Sequence, residues 1–278
     1  MNPGAVVFDG RVSRIRRVGS AGTLIDITVP RGFVPPKAGQ FAQIACGPPS
    51  AAFRLRRPFS ICRWETGPSG GELGILFSVV GEGSRWLDER RPGDAVNLIG
   101  PLGQPYRPLP GRIPILLAGG RGVAPLLLLA EQIAESHPDG LLLYGARDAS
   151  AIFPTEGCPY PVYRATLDGS VGHAGTAVDL LNAMLRQGGV RRETAALYGC
   201  GPMPMLHALS LLAAEASIPV QVSLETTFGC GTGLCAGCAV PLRAREGEET
   251  DSFHRYAFAC TDGPVFDGAR VEWQGIEE

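Results

Sequence analysis

Three cysteines stand within nine residues, "CGTGLCAGC" at 230 to 238, and a fourth, Cys260, follows beyond a charged stretch. Cys230, Cys235 and Cys238 have the spacing C-x4-C-x2-C, which with a distant fourth cysteine is the ligand pattern of a plant-type [2Fe-2S] cluster. Each iron takes two thiolates in tetrahedral geometry, so the backbone must wrap closely around inorganic sulfide. Gly229, Gly231, Gly233 and Gly237 remove the side chains that would block this wrap and permit positive φ angles. A structural zinc knuckle is the alternative, but it ordinarily pairs two C-x2-C units or adds paired histidines. Only one C-x2-C is present here. Cys46, Cys62 and Cys158 are scattered and read as small buried hydrophobes.

The chain has 278 residues, more than one hydrophobic core usually serves, so two or three domains are expected. A net charge of -2 leaves no electrostatic footprint for nucleic acid. The longest apolar stretches, such as "APLLLLA" at 124 to 130, are too short to span a bilayer. The start, "MNPGAVVFDGRVSRIRR", lacks a basic segment followed by an apolar run and does not read as a secretory signal. These features point to a cytoplasmic chain, where clustered thiols more often bind metal than form disulfides.

Before residue 105 the pattern is short strands and turns: "AVVFDGRVSRIRRV", "GTLIDITVP", "QFAQIAC", "RPFSICRW", "ELGILFSVV" and "AVNLIG" have the spacing of a small barrel. Only "SRWLDER" reads as helical, with Ser84 as its N-cap. From residue 113 strands alternate with helices, from "IPILLAGG" and "VAPLLLLAEQIAES" to "TAALYGC" and "PMPMLHALSLLAAEA". Such alternation argues for a parallel sheet with helices on both faces. Expected boundaries are 1–105, 106–223 and 224–278, the last holding the cysteines.

Within the barrel, "RRPFSI" at 56 to 61 gathers an arginine suited to pyrophosphate, a ring that can stack on a heterocycle and a hydroxyl that can bond to it. Ordinary strand alternation, with Phe59 inward and Arg57 in solvent, is the competing reading. "GEGS" at 81 to 84 offers glycine N–H groups and a helix start to a phosphate, or is a plain turn with a cap. "LAGGRGVAPL" at 117 to 126 lies at a strand end, where doubly wound sheets bind dinucleotides. It departs from G-x-G-x-x-G, because Pro125 occupies the third glycine position. "YGCGP" at 198 to 202 supplies a second glycine-bearing strand end, with Pro202 placed to open a helix. Close packing of helix on strand explains either glycine turn equally well. At "LYGARDAS", Asp148 beside Arg147 disfavours a 2′-phosphate and so favours NAD over NADP.

Taken in order, "RRPFSI", "GEGS", "GGRGVAPL" and "YGCGPMPML" resemble the ferredoxin-NADP reductase superfamily. "VSLETTFGCGTGLCAGC", "FACTDGPVF" and "ATLDGSVGHAGTAVDLL" narrow the resemblance, over nearly the whole chain, to the electron-transfer subunits of bacterial NAD-dependent dihydroorotate dehydrogenases. It implies a multidomain β and α/β protein. A flavin-binding Greek-key β-barrel would come first, then a doubly wound parallel α/β nicotinamide-binding domain, then a small C-terminal [2Fe-2S] domain.

The same resemblance implies FAD on Arg57, Pro58, Phe59 and Ser60, with Gly81, Gly83 and Ser84 at its pyrophosphate. NAD would lie along Gly119, Gly120, Gly122 and Pro125, together with Cys200, Gly201 and Pro202. Cys230, Cys235, Cys238 and Cys260 would be the cluster ligands, and no acid–base catalyst is expected. A hetero-oligomer follows, in which an FMN-containing catalytic subunit oxidises dihydroorotate for pyrimidine biosynthesis and this chain relays electrons to NAD. Phe228 and Leu234 are candidate contacts with that subunit, or else local packing around the cluster. Arg121 replaces an apolar residue of the family's glycine turn, and the acidic stretch 243–254 reads as a longer loop than the family's. Two other readings compete. One is the small subunit of another NAD(P)H-linked ferredoxin or sulfhydrogenase-type complex, with the same cofactors and a different partner. The other is a colourless, non-redox zinc protein.

Overall fold

A computed structural model of the chain describes residues 6–18, 20, 22–47, 55–244 and 255–275. Most of the acidic stretch, 245–254, lies outside the described residues.

Six strands rich in Val, Ile and Leu, β1 (Val6–Val18), β2 (Gly22–Pro30), β3 (Phe41–Ile44), β4 (Arg57–Gly67), β5 (Gly70–Phe77) and β6 (Ala95–Leu102), form a closed antiparallel barrel. Their order, β1-β2-β5-β4-β3-β6, is a Greek key. Closure removes both sheet edges, and Ile25, Ile27, Ile61, Ile75 and Leu98 fill the interior with no exposure. The short helix α1 (Glu82–Asp88) sits between β5 and β6.

The second unit is a seven-stranded sheet in the order β10-β9-β8-β7-β11-β12-β15. Its strands are β7 (Ile113–Gly119), β8 (Leu141–Ala146), β9 (Val162–Thr166), β10 (His173–Ala174), β11 (Ala195–Cys200), β12 (Val220–Ser223) and β15 (Val265–Asp267). All neighbours pair in parallel except β12 and β15. Helix α2 (Val123–Ile133) packs with the barrel core on one face, while α3 (Ala177–Gln187) and α4 (Met203–Ala216) cover the other. β15 comes from the cysteine-bearing segment, which therefore adds its own strand to the sheet. A small ribbon of β13 (Ala239–Pro241) and β14 (Tyr256–Phe258) completes that segment. No helix among the described residues is long and apolar enough to cross a membrane.

Chain order explains where a ligand can enter. From β7 the chain moves outward through β8 and β9, then returns to place β11 on the other side of β7. The strand order reverses between β7 and β11, and at such a switch point the loops leaving the two strand ends diverge into a crevice.

Candidate functional site

The "RPFS" start of β4 pairs with β3, Ser60 opposite Phe41 and Pro58 opposite Gln43. Pro58, Phe59 and Ser60 are all half-buried while Arg57 is exposed, so the inward–outward alternation expected of a plain strand is missing. They face a cleft of ≈ 260 Å³ shared with Ser84, Arg121 and the stretch Ser223 to Thr226, close to the roughly 300 Å³ at which small-molecule sites begin. Phe59 stands edge-on to Phe77 at 5.7 Å and presents a ring to this cleft.

Arg57 and the "GEGS" turn meet. A Cβ at Gly83 would lie 3.2 Å from Cys46 Cβ and 3.4 Å from Arg57 Cγ, so the turn packs closely against the arginine stem. Gly81 faces open space. Ser84 is not the N-cap: α1 is capped by Gly81, and Ser84 is its third helical residue. The Ser84 hydroxyl reaches back to accept from the N–H groups of Val80 (2.9 Å) and Gly81 (3.1 Å), the back-reaching half of a capping box. The Arg57 guanidinium beside this turn is a donor suited to a diphosphate.

At the switch point, Ala118 lies opposite Cys200 across β7 and β11. A Cβ on Gly119 would lie 2.8 Å from Pro202 Cδ, one on Gly201 3.0 Å from Gly119 Cα, and one on Gly122 2.6 Å from Gly201 N. These three glycines are required by close packing of the two strand ends. Gly120 differs, with φ +53 and open space where a side chain would project, so its backbone is approachable from the crevice. Pro125 is buried in the first turn of α2, where a missing N–H costs nothing. Pro202 caps α4. Cys200 is buried, and burial, with Glu225 adding to it, pushes its thiol far above the usual range, so it is neutral and contributes backbone and shape. At the end of β8, Asp148 accepts from Arg147 Nε (2.8 Å) and caps the turn at Ser150. These bonds, Ser150's first and Arg147's next, hold its carboxyl down at about 2.

The cysteine loop places N–H groups on sulfur. Thr232 N and Leu234 N point at Cys230 Sγ (both 3.3 Å), Cys230 N at Cys235 Sγ (3.4 Å) and Gly233 N at Cys260 Sγ (3.2 Å). Gly231 and Gly233 take φ of +73 and +85, as the tight wrap requires. Burial pushes the Cys230 thiol up, but bonds from Thr232 and Cys235 outweigh it and bring it down to about 6. Burial, and then Cys238, push Cys260 up to about 12. Cys238 lies beside Cys260, and N–H groups point at three of the four sulfurs, those of Cys230, Cys235 and Cys260, a donor set that fits an iron–sulfur cluster.

Cluster loop and cleft are joined. Phe228, two residues before Cys230, stacks edge-on against Phe41 of β3 at 5.1 Å, and both border the cleft. Phe228 is therefore local packing rather than a free contact, whereas Leu234 is 87% exposed. Three groups of the cleft carried no motif of their own: Ser223, Glu225 and Thr226, whose buried Oγ1 has no partner. Ser223 ends the last parallel strand and the other two follow it, and only their place in "VSLETTFGC" pointed to them.

Residues 225–272 match the model of the iron-sulfur cluster binding domain of dihydroorotate dehydrogenase B. The electron transfer subunit of dihydroorotate dehydrogenase B (NAD(+)) from Desulforamulus reducens is 37% identical over 96% of this chain and 99% of its own length. The chain belongs to this family. The Caldanaerobacter subterraneus member is 34% identical over 83% of the chain and 85% of its own length. A solved NADH-dependent reduced ferredoxin-NADP oxidoreductase superposes with TM-score 0.79, at 25% identity, over 95% of this chain and 90% of that one. The ferredoxin reductase of carbazole 1,9a-dioxygenase (TM-score 0.65, 22% identity, covering 78% and 69%) shares the fold. The family's barrel, parallel sheet and cluster segment are thus all present.

Proposed function

We propose that this chain relays electrons between a dihydroorotate-oxidising partner subunit and NAD, through a [2Fe-2S] cluster and FAD. The observation that carries the reading is the contact of Phe228 with Phe41, which seats the thiol loop against the strand that borders the Arg57–Ser60 cleft. Arg57 and the turn at Gly81 and Gly83 would hold the pyrophosphate of FAD, and Phe59, Ser60 and Thr226 its ring system and ribityl chain. Gly120, with the strand ends at Gly119, Gly122, Cys200 and Gly201 and the flanking Pro125 and Pro202, would form the NAD crevice. Cys230, Cys235, Cys238 and Cys260 would hold the cluster. Bound between the two other groups, a flavin supplies what neither has alone, exchange of two electrons with a nicotinamide and of one with a cluster.

The chain's own groups bind and orient. No general acid or base is needed beside the cleft, and the neutral, buried Cys200 supplies none. Units divided at about 105 and 223, with β15 returned to the sheet by the third, would bring all three sites together. A partner holding FMN would carry the dihydroorotate chemistry, with no part for nucleic acid or membrane and with the complex in the cytoplasm. The rival, a relay serving ferredoxin and NADP, is favoured by the overlay at TM-score 0.79, but the family match over 96% of the chain outweighs it. Co-expression with a family catalytic subunit should give a stable brown-yellow complex that reduces NAD with dihydroorotate, while this chain alone only oxidises NADH with artificial acceptors. Dihydroorotate oxidation by the isolated chain, or failure to form the complex, would overturn the proposal.

A further inference from the structure

β3 carries one buried side chain that neither the cleft nor the barrel uses. Gln43 is 0% exposed, yet neither Nε2 nor Oε1 has a hydrogen-bond partner. Buried amides are almost always paired, so such an orphan marks a missing partner. Ala42 and Ile44 belong to the barrel core, whereas Phe41, two residues from Gln43, belongs to the core shared with the cysteine segment. On a strand, alternate residues share a face, so Gln43 turns toward that segment too.

What it meets there is Gly231. A Cβ on that residue would lie 2.7 Å from Gln43 Cγ and 2.8 Å from its Cδ, with Nε2 nearer still. Gly231 sits in the turn that aims the N–H groups of Thr232 and Leu234 at Cys230 Sγ. The glycine therefore does two things: it takes φ +73, and it lets an amide from the flavin barrel come up under the thiol loop. Thiolate and sulfide only accept hydrogen bonds, so the end of the amide that can serve them is Nε2. Gln43 also pairs with Pro58 across β3 and β4, which ties this donor to the cleft wall.

We propose that Gln43 is a positioning residue for the cluster: its Nε2 donates a hydrogen bond to a sulfur on the Cys230 side of the site and raises the cluster's reduction potential. The inference rests on the cluster reading above. Its physical basis is that a donor to sulfur stabilises the extra negative charge of the reduced state, one of the main controls on such potentials. With the donor fixed on the strand that borders the flavin cleft, the potential of the one-electron carrier would be set by the same element that holds the two-electron carrier.

The test uses the holoprotein, with iron and acid-labile sulfide counted first. A wild-type protein without cluster would remove the reading beneath and this inference with it. Given a cluster, Gln43→Met keeps the length and apolar volume but deletes the donor. Expected are unchanged iron, sulfide and FAD content and a midpoint potential shifted downward in an EPR-monitored redox titration. A filled cluster at the wild-type potential would make Gln43 a mere space-filler and overturn the proposal. Should Gln43→Met lose the cluster, wild-type protein labelled with 15N in its glutamine side-chain amides decides. Pulsed EPR of its reduced cluster should detect coupling to a glutamine side-chain nitrogen, and absence of that coupling would equally overturn it.

Discussion

As proposed ligands, the four cysteines would each supply a soft thiolate, which serine would replace with a hard, weakly acidic hydroxyl. Changing Cys230, Cys235, Cys238 or Cys260 to serine is expected to cut iron and acid-labile sulfide sharply in the purified protein. If Cys260→Ser kept full cluster content, the fourth ligand would lie elsewhere, and the region 245–254 would be the place to search. At the cleft, Arg57→Ala removes a guanidinium proposed to make charge-assisted hydrogen bonds to a pyrophosphate, worth about 1.5–3 kcal/mol or roughly ten- to a hundredfold in affinity. FAD should be lost on dialysis while iron content holds, and unchanged flavin would refute the assignment. The thiol loop was legible in the sequence because its C-x4-C-x2-C spacing is local. Gln43 was not, because what makes it unusual is Gly231, nearly two hundred residues away in the chain. The neutral thiol of Cys200 was hidden for the same reason, since it comes from burial in the tertiary fold, with Glu225, beyond the end of β12, adding to it.

Strands and helices follow the hydrophobic periodicity closely enough that β1 to β6 and the alternation from β7 to β12 could be read from the chain, but their ends and partners could not. Ser84 has the chemistry of an N-cap, yet its hydroxyl serves the N–H groups of Val80 and Gly81 from inside the helix. β15 is three residues long and carries no signal that it pairs with β12, because that pairing is made by tertiary packing. Glycines near a strand end were ambiguous for a physical reason. Gly119, Gly122 and Gly201 answer to packing, and Gly120 to its backbone angle and open face. The end of β8 offers a test of nucleotide choice. Asp148 already binds Arg147 and is held ionised, so a 2′-phosphate there would meet a carboxylate and an arginine already engaged. Steady-state diaphorase assays should favour NADH over NADPH. A preference for NADPH would reverse the assignment.

For the whole molecule, the question is where an electron leaves. The thiol loop is buried on the side of Cys238 and Cys260, which join the core of the sheet and the cysteine segment, and open on the side of Cys235, so one side of the cluster site looks outward. Beside Cys235, Leu234 is 87% exposed. A single exposed leucine is ordinary; one at the open edge of an electron port is where a partner must approach closely. Phe228 is already occupied by Phe41, so the contact falls to Leu234 alone of the pair. Leu234→Asp would force a carboxylate into an apolar interface, and truncated or charged interface anchors commonly cost 2 kcal/mol or more, roughly thirtyfold in affinity. The variant should keep its iron, its FAD and its NADH oxidation with artificial acceptors, because Leu234 serves the cluster site only through its backbone N–H, which aspartate keeps, while its side chain is exposed. Titration of the catalytic subunit, followed by dihydroorotate-dependent NAD reduction, should show the weakened complex. Undiminished affinity would move the electron port to another face of the protein.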